Sequence, residues 1–110
     1  MTFMPPAIRN RRYERVGFSK GPFVAWQGPT RRTVSRVATL GMGGLFIEVA
    51  EPAPTGEGIK LVLAVPEGVV RARAMVRNSH PGKGMGIEFT SMNSEHRARL
   101  HRLVRRLLAA

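Results

Sequence analysis

Val69-Val70-Arg71-Ala72-Arg73-Ala74-Met75-Val76-Arg77 is the stretch on which the fold turns. Side chains of a strand alternate between its two faces. Arg71, Arg73 and Arg77 therefore fall on one side, and Val70, Ala72, Ala74 and Val76 on the other. One face is wet and one is buried, as in an antiparallel sheet. The flanks carry turn chemistry. Pro66-Glu67-Gly68 precedes the strand, with Pro fixing one dihedral and Gly supplying another. His80-Pro81-Gly82-Lys83-Gly84 follows it as a second turn.

Working outward, the same grammar recurs. Phe23 to Gln27 reads as a short strand closed by Gly28-Pro29, and Thr33 to Ala38 as a second, weaker in pattern. Leu45, Ile47 and Val49 share one face after a Gly-rich turn spanning Thr39 to Gly44. Ile59 to Val65 follows the Pro/Gly loop of residues 51 to 58, and Met85, Ile87 and Phe89 alternate inward around Glu88. Six short strands separated by Gly/Pro turns predict a small closed barrel or a sandwich. From Asn93 onward the period changes to that of a helix. Asn93 or Ser94 supplies the cap, and Glu95 suits the positive end of the dipole. Leu100, Leu103, Val104, Leu107 and Leu108 form an apolar stripe expected to lie on the barrel. Leu107 and Leu108 serve a dimer contact as readily as the core, so monomer and dimer both stay open.

Charge is placed unevenly. The chain of 110 residues carries a formal net charge of +11. Residues 1 to 36 hold eight Lys/Arg against the single acid Glu14, and residues 93 to 110 hold five Arg against Glu95. Residues 37 to 92 balance five against five. Basic ends around a neutral centre imply an anionic partner: nucleotide, nucleic acid, or an acidic protein or membrane surface. Aromatics make up 6% of the chain, too few for a platform that stacks single strands. With 43% hydrophobic residues the chain folds rather than staying disordered. There is no Cys, which excludes disulfides and thiolate metal sites. No apolar run is long enough to span a bilayer, and MTFMPPAIRNRR lacks the apolar core of a signal peptide. The expectation is a soluble cytoplasmic protein, with residues 1–8 a flexible leader and residues 9–110 a single domain.

Enzymatic readings find no purchase. The acids are scattered, and His80, His96 and His101 lack ligand spacing, so they read as structural or surface side chains. No Walker loop and no dinucleotide fingerprint is present. The cationic segment Arg11-Arg12-Tyr13-Glu14-Arg15 is different. Two arginines four apart outside a helix make a guanidinium clamp. Such forks bind phosphate and the O6/N7 edge of guanine bidentately. A solvated basic tail is the plainer alternative.

Three features in order resemble the PilZ domain family, a bacterial receptor for cyclic di-GMP. They are R-x-x-x-R at Arg11 and Arg15, and the D/N-x-S-x-x-G slot filled by Thr39-Leu40-Gly41-Met42-Gly43-Gly44. The third is the late strand ending Gly86-Ile87-Glu88-Phe89 before a C-terminal helix. The resemblance implies a six-stranded antiparallel β-barrel with a C-terminal α-helix, no enzymatic activity, no metal, and cyclic di-GMP as ligand. It implies that Arg11 and Arg15 grip guanine edges and phosphates, with Arg12 adding charge. Thr39 and Gly41 take the places of the hydrogen-bonding acid or amide and the serine, and Gly44 that of the motif glycine. An arm that closes on the nucleotide would then signal to a protein partner.

The motif is degenerate in its second half. Thr39 cannot accept from guanine N1–H and N2–H together, and Gly41 has no hydroxyl. Losing a charged acceptor and a hydroxyl costs about 2–4 kcal/mol, which is roughly 30- to 1000-fold in affinity. On that basis, Thr39→Asp with Gly41→Ser is expected to tighten binding. The competing expectation is a PilZ-type adaptor that binds no nucleotide and works by protein contacts in motility or pilus control. Nonspecific nucleic-acid binding is a third reading, weakened by the lack of a recognition helix.

Overall fold

The apolar side of each strand predicted above is buried, and closing these sides on one another generates a barrel. The computed structural model describes residues 14–109. The described strands are β1 (Arg15–Gly17), β2 (Phe23–Gln27), β3 (Arg32–Gly41), β4 (Gly44–Glu48), β5 (Gly58–Val65), β6 (Gly68–His80) and β7 (Gly84–Ser91). A helix, α1 (Ser94–Ala109), ends the described chain. All pairings are antiparallel, in the order β3-β2-β5-β6-β7-β4, and β4 returns to β3. Six strands thus close a barrel, and closure removes the exposed edges of an open sheet. The short strand β1 pairs with the distal part of β3 alone. The expected leader over residues 1–8 lies outside the described residues.

Val24, Trp26, Leu40, Leu45, Ile47, Leu61, Leu63 and Met85 are almost wholly excluded from solvent inside the barrel. Trp26 is accommodated because its Nε1–H donates to Ser35 Oγ at 3.0 Å, with both groups buried. The alternation in β6 is as the sequence dictates: Val70, Ala72, Ala74 and Val76 are buried, while Arg71, Arg73 and Arg77 are exposed. Its turns also match. Gly68 and Gly82 take φ of +123° and +82°, a region that favours glycine.

Asn93 caps α1: its Oδ1 accepts from the His96 amide at 2.8 Å. Leu100, Leu103 and Val104 are buried, at about 1.5–3 kcal/mol each for side chains of this size. Polar contacts fix the helix's register over the β5–β6 turn. The His96 Nδ1 accepts from the Arg71 amide at 2.8 Å, Arg99 Nη1 donates to the Val69 carbonyl at 2.9 Å, and Arg106 pairs with Glu67. Exposed ion pairs add little stability, so apolar burial docks the helix and these contacts orient it. His96 is therefore structural, as its spacing implied.

The end of β3 differs from expectation. Strand β3 continues through Gly41, so Thr39, Leu40 and Gly41 are strand residues and only Met42 and Gly43 turn the chain. The reason is a bulge at Ala38. The β3–β4 register runs Val37↔Ile47 and then Thr39↔Phe46, which leaves Ala38 unpaired with β4. One extra residue reverses the facing of everything beyond it. That reversal blurs the alternation and made this strand look short.

Candidate functional site

The Ala38 bulge builds the site. Val37 points inward and is 1% exposed; without the bulge, Thr39 and Gly41 would point inward too. With it, Leu40 takes the core position at 0% exposure, and Thr39 and Gly41 face outward. At the same place β3 exchanges its neighbour. β2 pairs with it up to Arg36, and β1 takes over at Thr39. The connecting segment bonds along the way: the Phe18 amide donates to the Ala38 carbonyl at 2.9 Å, and the Val37 amide to the Pro22 carbonyl at 2.9 Å.

Strand β1 brings Arg15 to the motif. Its register is Arg15↔Gly41, Val16↔Leu40 and Gly17↔Thr39. Directly paired residues share a face, so Arg15, Thr39 and Gly41 stand on one outward shelf. Arg15 Nη1 donates to Thr39 Oγ1 at 3.4 Å, a long and exposed hydrogen bond. No carboxylate pairs with Arg15 among the described residues. Its guanidinium keeps donors available for an anion. Arg11 and Arg12, also expected at the site, lie outside the described residues.

The two motif glycines do different work. A side chain on Gly44 would fall on the Ile87 carbonyl of β7, so this position is held by the close approach of β4 and β7. At Gly41, a Cβ would lie 2.6 Å from the Glu14 carbonyl oxygen and 3.3 Å from Arg15 Cγ. The space of the missing side chain is taken by the backbone of the arm. The expectation that serine fits at position 41 therefore needs correction: with β1 in place, it collides with Glu14.

Register reveals shelf residues that motif reading missed. Across the barrel's outside, Thr39 lies opposite Phe46, Phe46 opposite Gly86, and Gly86 opposite Asn78. Phe46 is half-buried and its ring lies 6.2 Å from that of His80, tilted by 33°. The Asn78 side chain lies over Gly86, and its Oδ1 accepts from the Gly86 amide at 3.1 Å. A cleft of about 500 Å³ continues from Phe46, lined also by Ala38, Glu48, His80, Gly82 and Lys83. The arrangement offers a guanidinium and a hydroxyl at one edge of a surface that carries the Phe46 and His80 rings. Such a surface can stack a planar base and bind phosphate. Only the pairing of distant strands assembles it, so no local signal pointed to Phe46, His80 or Gly86. Among the described residues no group of three or more acids and histidines is placed to hold a metal, and no helix is long and apolar enough to cross a membrane.

The geometry has solved counterparts. The B. subtilis inhibitor of motility MotI/DgrA superposes with a TM-score of 0.71 at 22% identity, over 90% of this chain and 52% of its own. This chain thus spans about half the length of that protein. The PilZ domain of CeSA from a cellulose-synthesizing bacterium gives 0.69 at 17% identity, covering 86% of this chain and 98% of its own. The PilZ domain of E. coli YcgR, solved with c-di-GMP, gives 0.69 at 18% identity, covering 90% and 92%. At such identities these likenesses establish the barrel and its helix. No curated protein matches the sequence. The family model of the PilZ domain matches residues 9–106, nearly the whole chain and both halves of the motif, and the chain belongs to the PilZ domain family.

Proposed function

We propose that the chain is a non-enzymatic receptor module for cyclic di-GMP, with Arg11, Arg12, Arg15, Thr39, Gly41 and Gly44 at its site. The observation that carries this reading is the outward shelf shared by Arg15 and Thr39, made by the Ala38 bulge and the β1–β3 pairing. The ligand is a dianion that carries two planar guanines. Arg15 supplies charge-assisted donors to phosphate or to the guanine O6/N7 edge. Phe46 and His80 offer ring faces beside it. Strand β1 touches α1 as well as β3. Ligand that tightens the arm on the shelf therefore shifts a surface continuous with the helix, and a partner protein reads that change. The E. coli YcgR domain with c-di-GMP bound supports the same ligand for this barrel.

One observation favours a second reading. The Glu14 carbonyl occupies the space of a side chain at position 41, so this motif position packs against the arm's backbone and offers no side chain to a ligand. A motif slot used for packing suits an adaptor that works by protein contacts in motility or pilus control and binds no nucleotide. Thr39→Asp distinguishes the two. A carboxylate beside Arg15 restores the charged acceptor, worth about 1.5–3 kcal/mol for a bond to a charged group. The receptor reading expects Thr39→Asp to tighten c-di-GMP binding measured by calorimetry. Absence of binding in both wild type and Thr39→Asp would leave the adaptor.

A further inference from the structure

Another face of the barrel carries charge that the nucleotide site does not use. Two rows run across β3, β2, β5 and β6 in register. The first is Arg32–Gln27–Lys60–Arg73 and the second is Val34–Ala25–Val62–Arg71. Both rows point outward, opposite to the buried Val24, Trp26, Leu61 and Ala72. A cleft of about 490 Å³ lies over them, with Arg32, Lys60, Arg71 and Arg73 at its sides and Ala25 and Val62 in its floor.

The cations of this cleft are unmatched. The ion pairs among the described residues are Arg31–Glu51, Arg77–Glu88, Arg99–Glu95 and Arg106–Glu67, and none lies here. No acid lines the cleft. Lys60 and Arg73 stand directly opposite each other across β5 and β6. Like charges in that position weaken a strand pair, so folding gains nothing from them. An anion seated between them removes the repulsion. Beside the cations, Val34 is 61% and Phe23 54% exposed, the two most exposed large apolar side chains among the described residues. Exposed apolar side chains adjoining unpaired charge mark an interaction surface.

The chemistry selects the occupant. Phosphate backbones would satisfy the cations but leave Val34, Ala25 and Val62 against sugar and solvent. A second copy of the chain, at +11 net charge, brings repulsion instead of acid. We propose that the outer face of β2, β5 and β6 docks an acidic segment of a partner protein that also carries apolar side chains. Lys60 and Arg73 take its carboxylates, and Ala25, Val62 and Val34 take its apolar groups.

The test uses the full chain and a fluorescent peptide of about a dozen residues alternating glutamate with leucine, followed by anisotropy. The Glu–Leu peptide is expected to bind. Lys60→Glu with Arg73→Glu weakens it at least about tenfold, or about 1.4 kcal/mol. The milder Lys60→Gln with Arg73→Gln weakens it in the same direction should the first variant fold poorly. Val62→Thr, nearly isosteric, weakens it roughly threefold or more. Arg15→Ala leaves it unchanged, so this result stands or falls separately from nucleotide binding. The inference is overturned by an equal loss from Arg102→Glu with Arg105→Glu on the helix, since bulk charge would then explain binding. It is also overturned if a glutamate–serine peptide or random duplex DNA binds as tightly as the glutamate–leucine peptide.

Discussion

Replacing Gly41 by serine restores the residue type that the family motif carries there, and the structure predicts that the change harms the arm. The new Cβ would sit 2.6 Å from the Glu14 carbonyl oxygen, where ordinary contacts begin near 3.4 Å. The obstructing atom is backbone, so it cannot rotate aside. Either β3 shifts or β1 leaves. Overpacking of this kind costs about 1–3 kcal/mol. Strand β1 is only three residues long and exposes Arg15 and Gly17. It is held by a few backbone hydrogen bonds worth about 0.5–1.5 kcal/mol each, a small contact with α1 and the half-buried Phe18, whereas β3 is fixed on its other edge by β4 and by the buried Leu40. The arm therefore yields before the barrel. Amide hydrogen exchange reads this directly: in Gly41→Ser, protection across Val16 to Phe18 falls by roughly 5- to 150-fold, from about 1.4 kcal/mol per decade. Protection in β5 and β6 stays nearly constant. Unchanged protection of the Phe18 amide, whose acceptor is the Ala38 carbonyl, would show that the arm does not yield. So would global unfolding without local loosening.

The other predictions concern the barrel and its helix. Ser35→Ala leaves the Trp26 indole N–H buried without an acceptor, and denaturant titration should show a loss of about 1–3 kcal/mol. Asn93→Ala removes the cap on the His96 amide and should cost about 0.5–2 kcal/mol by the same measurement, with Asn93→Ser close to wild type. The hydrogen bond from Arg106 holds the Glu67 carboxyl below its ordinary value of 4.5. That contribution to stability is present above pH 4.5 and disappears as pH falls through the lowered folded-state value. Thermal melts in acid should therefore decline more steeply for wild type than for Glu67→Gln; parallel curves would exclude the linkage.

Sequence and structure part company where register, rather than residue type, decides. Strand β6 was legible because Arg71, Arg73 and Arg77 alternate with Val70, Ala72, Ala74 and Val76, which leaves one arrangement with a dry side. The helix was legible from its period and its Asn cap. Arg15-Val16-Gly17 has no strand pattern of its own and becomes a strand only because β3 offers an open edge beyond β2. Thr39 to Gly41 resembled a turn because glycines cluster there, and the Ala38 bulge hid the strand by reversing its phase. For the candidate site, the sequence identified Arg15, Thr39, Gly41 and Gly44 by motif. It did not disclose that Gly41 makes room for the arm, or that Phe46 adjoins Thr39 with His80 and Gly86 beside it. Those relations arise from pairing between strands far apart in the chain.

In the proposed receptor the cationic arm and the β3 shelf together hold a cyclic guanine dinucleotide. Calorimetric titration of the full chain with c-di-GMP, run beside Arg15→Ala, tests it most directly. Saturable binding by wild type and its loss in Arg15→Ala are expected, with the barrel's melting temperature unchanged because that side chain is exposed. A wild-type chain that gives no heat at high micromolar ligand, or an Arg15→Ala variant that binds as tightly as wild type, would contradict it.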